Sequence, residues 1–235
     1  MDEPAVERLL SEQRRYYTER APEYDDWWFR RARYRLDAAA ASAWFADVDE
    51  LEAELERFRP AGDVLELAAG TGNWTRHLVR HADRVTAVDA VPEVLELNRD
   101  KLGGADVDYV VADVFAWEPP RAFDVCFFGF WLSHVPSGSF EAFWRLVDRA
   151  LKPDGRVFLV DNAHVGDPRH TVSASGEVVR RRLSDGREFD IVKRFWTPAE
   201  LEGEVATLGW RLTARATANG HFVFAAGERA PSSNS

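Results

Sequence analysis

Two glycines, Gly70 and Gly72, stand directly after the apolar run 64–67, and a helix is expected to begin near Asn73. Glycine behind a strand lets backbone come close to a ligand, and the first turn of the following helix offers free N–H groups. The spacing therefore predicts a loop that holds a nucleotide-like ligand. Its neighbours decide which kind. A dinucleotide fingerprint continues as Gly-x-Gly-x-x-Gly or Ala, but Thr75 occupies the third position, and no Lys-Ser or Lys-Thr follows Gly72 as a phosphate loop requires. Glu66 lies inside the strand. A carboxylate there would repel a pyrophosphate and suit a ligand with ammonium and sulfonium centres.

Two more acids follow in order. Asp89 closes the run 85–89, where a carboxylate can accept from both hydroxyls of a ribose. Asp113 follows the next apolar run and can accept from the exocyclic amine of adenine. Either acid alone would also serve as a helix N-cap. Their succession at matching strand ends favours a nucleoside.

A second group of residues could handle a second molecule. Arg181 and Lys193 flank the turn Asp185-Gly186 on paired strands and could clamp an anion, with Arg30, Arg31 and Arg33 as further cations. The alternative for each is a solvated face. Tyr17, Tyr24, Trp27, Trp28, Phe130 and Trp131 could wall a dry pocket around a cationic centre, or pack as ordinary core. His134 could act as a general base toward a neutral hydroxyl or amine, or sit packed beneath the ligand. No His-x-x-His pair or carboxylate cluster points to a metal.

The elements that must position these residues are legible as a pattern. Residues 1–60 read as helical, with helices around 6–19 and 37–58 and an aromatic, arginine-rich segment between. From 63 to about 162, short apolar runs (64–67, 85–88, 107–110, 125–128 and 157–160) alternate with helix-length stretches such as 74–80, 91–101 and 140–151. That alternation predicts βαβ units and a parallel sheet, with ligands at the carboxyl ends of the strands. Beyond lie a hairpin at about 175–195, a helix opened by Thr197-Pro-Ala-Glu200, and an antiparallel strand pair at 210–215 and 221–225. Residues from Gly227 on read as a frayed tail.

Composition excludes several classes. A formal net charge of -10 argues against wrapping nucleic acid by charge. No run approaches the ~20 apolar residues of a membrane span. The acidic first residues do not make a signal peptide, and the lone Cys126 fits a buried core position in a reduced, cytoplasmic protein.

The ordered set Glu66-Leu-Ala-Ala-Gly-Thr-Gly72, Asp89, Ala112-Asp113-Val114, the run 123–134 and Leu151-Lys-Pro-Asp-Gly-Arg-Val157 resembles the class I S-adenosylmethionine-dependent methyltransferases over nearly the whole chain. Ala68 stands where glycine is commoner in that family. The resemblance implies an α/β, Rossmann-like seven-stranded fold: a mostly parallel sheet with the last strand antiparallel, an N-terminal helical lid and a β-hairpin insertion. It implies S-adenosyl-L-methionine held by Tyr17, Tyr24, Glu66, Ala68, Gly70, Gly72, Trp74, Asp89, Ala90, Asp113, Val114, Gly129 and Phe130. Within the family, Tyr16-Tyr17, Arg20 through Asp25, Trp131 through Pro136 and the hairpin residues Arg180-Arg181 and Ile191 to Lys193 are similar to bacterial small-molecule O-methyltransferases of the dehydrophos phosphonate type. That similarity implies a phosphonate pocket lined by Arg181 and Lys193. The segment 25–34 departs from the pattern through Trp27, Trp28 and its arginines, which leaves the substrate open.

The expectations are therefore a lid at 1–60, a catalytic domain at 61–227 and a tail at 228–235. The expected activity is O-methylation of a small anionic metabolite by a monomer or homodimer. N-methylation and a non-catalytic S-adenosylmethionine-binding domain are the alternatives.

Overall fold

The computed structural model describes residues 3–163 and 177–231. Nine strands and seven helices are found among them. The strands are β1 (Gly62–Leu67), β2 (Ala82–Asp89), β3 (Val107–Val111), β4 (Phe123–Gly129), β5 (Leu151–Asn162), β6 (Val178–Arg182), β7 (Glu188–Val192), β8 (Trp210–Ala216) and β9 (Phe222–Arg229). The helices are α1 (Glu3–Arg20), α2 (Tyr24–Trp28), α3 (Ala38–Phe58), α4 (Thr75–Leu78), α5 (Pro92–Leu102), α6 (Phe140–Ala150) and α7 (Pro198–Ala206).

Seven strands form one sheet in the order β3-β2-β1-β4-β5-β9-β8. The first five are parallel, and β9 runs antiparallel to both β5 and β8. The expected α/β architecture with an antiparallel last strand is what the chain adopts. Strand order reverses between β1 and β4, so the carboxyl ends of these two strands, at Leu67 and Gly129, open the crevice where such sheets bind ligands.

Burial explains why these runs are strands. The last four residues of β1 are buried, as are Val125, Cys126, Phe127 and Phe128 of β4, which suits strands covered on both faces. One face is covered by α6 and α7 through Phe143, Trp144, Val147, Leu201 and Val205. The other is covered by α3 and by Trp28 of α2, which pack on Phe127, Phe158 and Phe222. The β6–β7 hairpin forms a separate two-stranded sheet. Its buried side chains Val179, Phe189 and Ile191 pack with Tyr16 of α1, so the amino-terminal helix is seated on the hairpin.

Three local expectations change. The helix after the glycine loop is only one turn long, because β2 begins at Ala82 and leaves little chain between. Strand β5 starts at Leu151, six residues ahead of the expected run 157–160, with a register irregularity opposite Phe123 and Val125. Strand β9 continues through Arg229, into the span read as tail. A Cβ on Gly227 would lie 2.1 Å from the Arg211 carbonyl oxygen, so that glycine is what lets β8 close on β9. Residues 175–176 of the expected hairpin and 232–235 of the expected tail lie outside the described residues.

Candidate functional site

The glycine loop leaves β1 through Ala68, which holds φ +54°, and the crevice is closed opposite by Phe130, at φ +57°. Non-glycine residues reach this left-handed region at a cost of about 1 kcal/mol, and such strain gathers at ligand sites. Gly70 (φ +54°) donates its N–H to Asp89 Oδ2 at 2.9 Å. Asp89 Oδ1 accepts from the Val91 N–H at 2.9 Å. The acid at the end of β2 thus braces the loop at the end of β1.

Gly72 does different work from that expected. Its added Cβ would lie 2.6 Å from Asn98 Oδ1, so its hydrogen is needed for packing against α5. Asn98 is fully buried and donates to the Gly70 carbonyl (3.2 Å) and Thr75 Oγ1 (2.8 Å). Nothing local in the sequence marks Asn98; it is found only when α5 is laid beside the loop. Asp25 of α2 fastens the loop from above, accepting from Thr71 Oγ1 at 2.7 Å and pairing with Lys101 at 2.8 Å.

A first cavity, of about 90 Å3, runs along the strand ends past Ala68, Gly70, Asp89, Ala90, Asp113 and Val114 to Gly129 and Phe130. Asp113 Oδ2 is held by Arg14 of α1 at 2.7 Å, a contact across 99 residues that the sequence does not signal. Glu66 and Trp74 line an adjoining recess that shares Ala68, Gly70 and Gly129. Gly129 cannot carry a side chain, because a Cβ would lie 2.8 Å from the Trp74 indole.

Glu66 is buried and its Oε2 has no hydrogen-bond partner. Burial pushes its carboxyl up to about 8 and that of Asp89 up to about 6. A cationic donor is the natural complement of an orphaned carboxylate oxygen. The sign for stability follows from the direction. Glu66 keeps its proton longer in the folded chain than in the unfolded one, so its contribution is full below about 4.5 and is lost as pH rises through about 8. Glu66→Gln is accordingly expected to raise the Tm of the ligand-free protein by roughly 3–8 °C at alkaline pH, and to flatten its decline with pH, in scanning calorimetry. A lower Tm for the variant at every pH would contradict this.

A second, wider cavity, of about 650 Å3, opens beside the first. Tyr17, Tyr24, Phe130 and His134 line both, so the two spaces meet at these four side chains. His134 Nδ1 lies 2.7 Å from the Val192 carbonyl oxygen, which can only accept, so Nδ1 carries the proton. Nε2 is then bare and accepts from the Tyr17 hydroxyl at 2.7 Å. Burial and the nearby Lys193 charge hold this imidazole well below its ordinary pKa. His134 is thus a buried neutral ring whose basic nitrogen is already engaged. Gln13 of α1 fixes the surroundings, donating to the His134 carbonyl (3.2 Å) and accepting from the Val192 N–H (3.0 Å).

The second cavity is lined by Arg20, Arg30, Arg33, Arg180, Arg181, Arg182 and Lys193, and by no aspartate or glutamate among the described residues. Arg181 pairs with Phe189 across the hairpin, while Lys193 lies one residue past β7 and donates its N–H to the Glu177 carbonyl. The two cations therefore stand on different rungs of the hairpin. Lys193 is buried, its Nζ 2.7 Å from both Ser133 Oγ and Asn162 Oδ1 and 3.5 Å from Asp161. Trp27 lines this cavity and Trp131 the first, whereas Trp28 is packed in the core and borders the recess beside Glu66. Arg31 is exposed, lies against Phe29 and is absent from both linings. Among the described residues no cluster of His, Cys, Asp and Glu could hold a metal, and no helix is long and apolar enough to cross a membrane.

Known proteins are similar to this chain in sequence and fold. A family model for a methyltransferase domain matches residues 64–155. A ubiquinone biosynthesis O-methyltransferase of Xanthomonas axonopodis pv. citri (strain 306) is 31% identical over 167 residues, 69% of this chain and 68% of that one. The solved DhpI–SAH complex is 38% identical with a TM-score of 0.74, covering 95% of this chain and 98% of that chain. The DhpI–SAM–HEP complex, also 38% identical, superposes with a TM-score of 0.75 over 94% and 97%.

Proposed function

The chain belongs to the class I S-adenosylmethionine-dependent methyltransferases, and from that premise we propose that it methylates an oxygen of a small anionic metabolite. One observation carries the reading: a cofactor-type cavity and a cavity lined by cations, with no acid among the described residues, meet at Tyr17, Tyr24, Phe130 and His134.

The chain's residues fit the cofactor. Glu66 offers its orphaned oxygen to an ammonium group, Asp89 would accept from ribose hydroxyls, and Asp113 and Val114 would flank an adenine. Ala68, Gly70, Ala90, Gly129 and Phe130 would shape the walls, with Trp74 behind them and Gly72 acting through its packing on Asn98. Bound S-adenosylmethionine supplies an electrophilic methyl carbon: the oxygen–carbon bond forms as the sulfur–carbon bond breaks, and the thioether keeps the electron pair.

The chain's own contribution is to align and to desolvate. Arg181 and Lys193 hold the acceptor anion, and the four shared side chains exclude water at the meeting point. An ionised oxygen has no proton to lose, which agrees with a His134 that is neutral and already engaged by Tyr17. His134 therefore serves as a fixed wall. An amine acceptor is disfavoured, because the surrounding cations would repel its ammonium form. The oxygen specificity of the 31%-identical ubiquinone relative supports the same choice. The experiment that tests the proposal follows a labelled methyl group from S-adenosylmethionine onto phosphonate and carboxylate acceptors.

A further inference from the structure

The cation-lined cavity has two ends. Arg181 and Lys193 lie at the end with His134 and Tyr17. The other end is built on Trp44. The Arg30 guanidinium lies 3.2 Å from the Trp44 ring centroid and 5.3 Å from that of Trp27. His221 meets Trp44 edge-on at 5.3 Å. Arg33 reaches the Tyr34 hydroxyl at 2.7 Å, and both line the same space. An aromatic wall joins the ends: Phe130 touches Trp27 at 5.4 Å, and Trp27 touches Trp44 at 5.6 Å.

The Trp44 end is held in place by buried groups. Asp47, with no exposed surface, takes a hydrogen bond from His221 Nδ1 at 2.8 Å. Its carboxylate also accepts from Thr217 Oγ1 (2.7 Å) and from the Asn219 N–H (2.9 Å). The ring of His221 is thereby fixed through Nδ1 and serves as part of the wall. Arg33 is pinned by Glu23 at 3.0 Å. Neither Asp47 nor Glu23 lines the cavity. The chain has 40 acidic and 30 basic residues, so a lining free of acids among the described residues runs against its composition.

A small monoanion seated between Arg181 and Lys193 leaves much of a cavity of about 650 Å3 unfilled. We propose that the substrate carries two anionic groups. One is presented for methylation at the Arg181–Lys193 end, and the second is held by Arg30, on Trp44, and by Arg33, which lines the same cavity. Arg30 and Arg33 are then specificity determinants that select an extended dianion. This rests on the anionic-acceptor reading above and adds a second recognition point to it.

Binding to the protein saturated with S-adenosylhomocysteine tests it by calorimetry, with hexylphosphonate and its ω-carboxylate analogue as probes. Charge-assisted contacts predict that the dianion binds about tenfold to a hundredfold more tightly. In Arg30→Gln and in Arg33→Gln that ratio should fall toward one, with hexylphosphonate affinity unchanged. Arg33 is largely exposed, so its variant reports even where Arg30→Gln fails to fold. Equal affinity of the two probes for the unaltered protein overturns the second anion site and leaves the acceptor reading standing. A dianion preference that survives in Arg30→Gln and in Arg33→Gln also overturns it. If neither probe binds, the anionic reading falls and this inference falls with it.

Discussion

Asp89→Ala is expected to weaken S-adenosylhomocysteine binding about a hundredfold or more. The Asp89 carboxylate ties two N–H groups, those of Gly70 and Val91, and lines the first cavity. Its loss removes the acceptor for a ribose and also releases the glycine loop. Hydrogen bonds to a charged group contribute about 1.5–3 kcal/mol each. Two of them lost amount to about 3 kcal/mol or more, and every ~1.4 kcal/mol is a factor of ten in affinity. The change is read by titration calorimetry, with circular dichroism to confirm folding. The unaltered protein should show a milder form of the same effect. Burial raises the Asp89 carboxyl to about 6, so cofactor affinity should fall as pH drops through that value. A variant within fivefold of the parent would remove Asp89 from the ligand's contacts.

The second large effect concerns stability. Lys193→Met leaves Asp161 as a carboxylate with no exposed surface and without its nearby cation. Burial already lowers the Lys193 ammonium to about 8, and Asp161 is the chief group working against that fall. Removing one partner of a buried pair costs about 3–5 kcal/mol, whereas removing both is far milder. For a chain of this size the expected loss is ~10 °C in Tm, accompanied by a raised substrate KM. Lys193→Met combined with Asp161→Asn should recover most of the Tm without restoring KM, and that split separates the structural from the binding contribution. A Tm unchanged by Lys193→Met would show that the pair carries no stability.

The fold and the cofactor side were legible because their signals are local. An apolar run, a glycine pair and an acid at the next strand end all lie between residues 64 and 89, and the parallel sheet orders them. The rest depends on contacts between distant segments. Arg14 on Asp113, Gln13 between His134 and Val192, and Asp47 under His221 span 99 to 179 residues. His134 is the instructive case. Its residue type suggests a base, yet the Val192 carbonyl and the Tyr17 hydroxyl decide its proton and its availability. Periodicity shows neither partner. The cations at 30, 33, 181 and 193 were visible singly, but that they share one cavity is a product of α1, α2 and the hairpin folding together.

The central claim is transfer of a methyl group to an anionic oxygen, and mass spectrometry of one reaction addresses it most directly. Purified protein is incubated with S-adenosylmethionine bearing a deuterated methyl group and a mixture of phosphonates, carboxylates and primary amines. The account predicts a labelled monoester of a phosphonate or carboxylate, lost in Asp89→Ala and strongly reduced at limiting acceptor in Arg181→Gln. Label found on the amines alone, or label on the acids unaffected by Arg181→Gln, would contradict it.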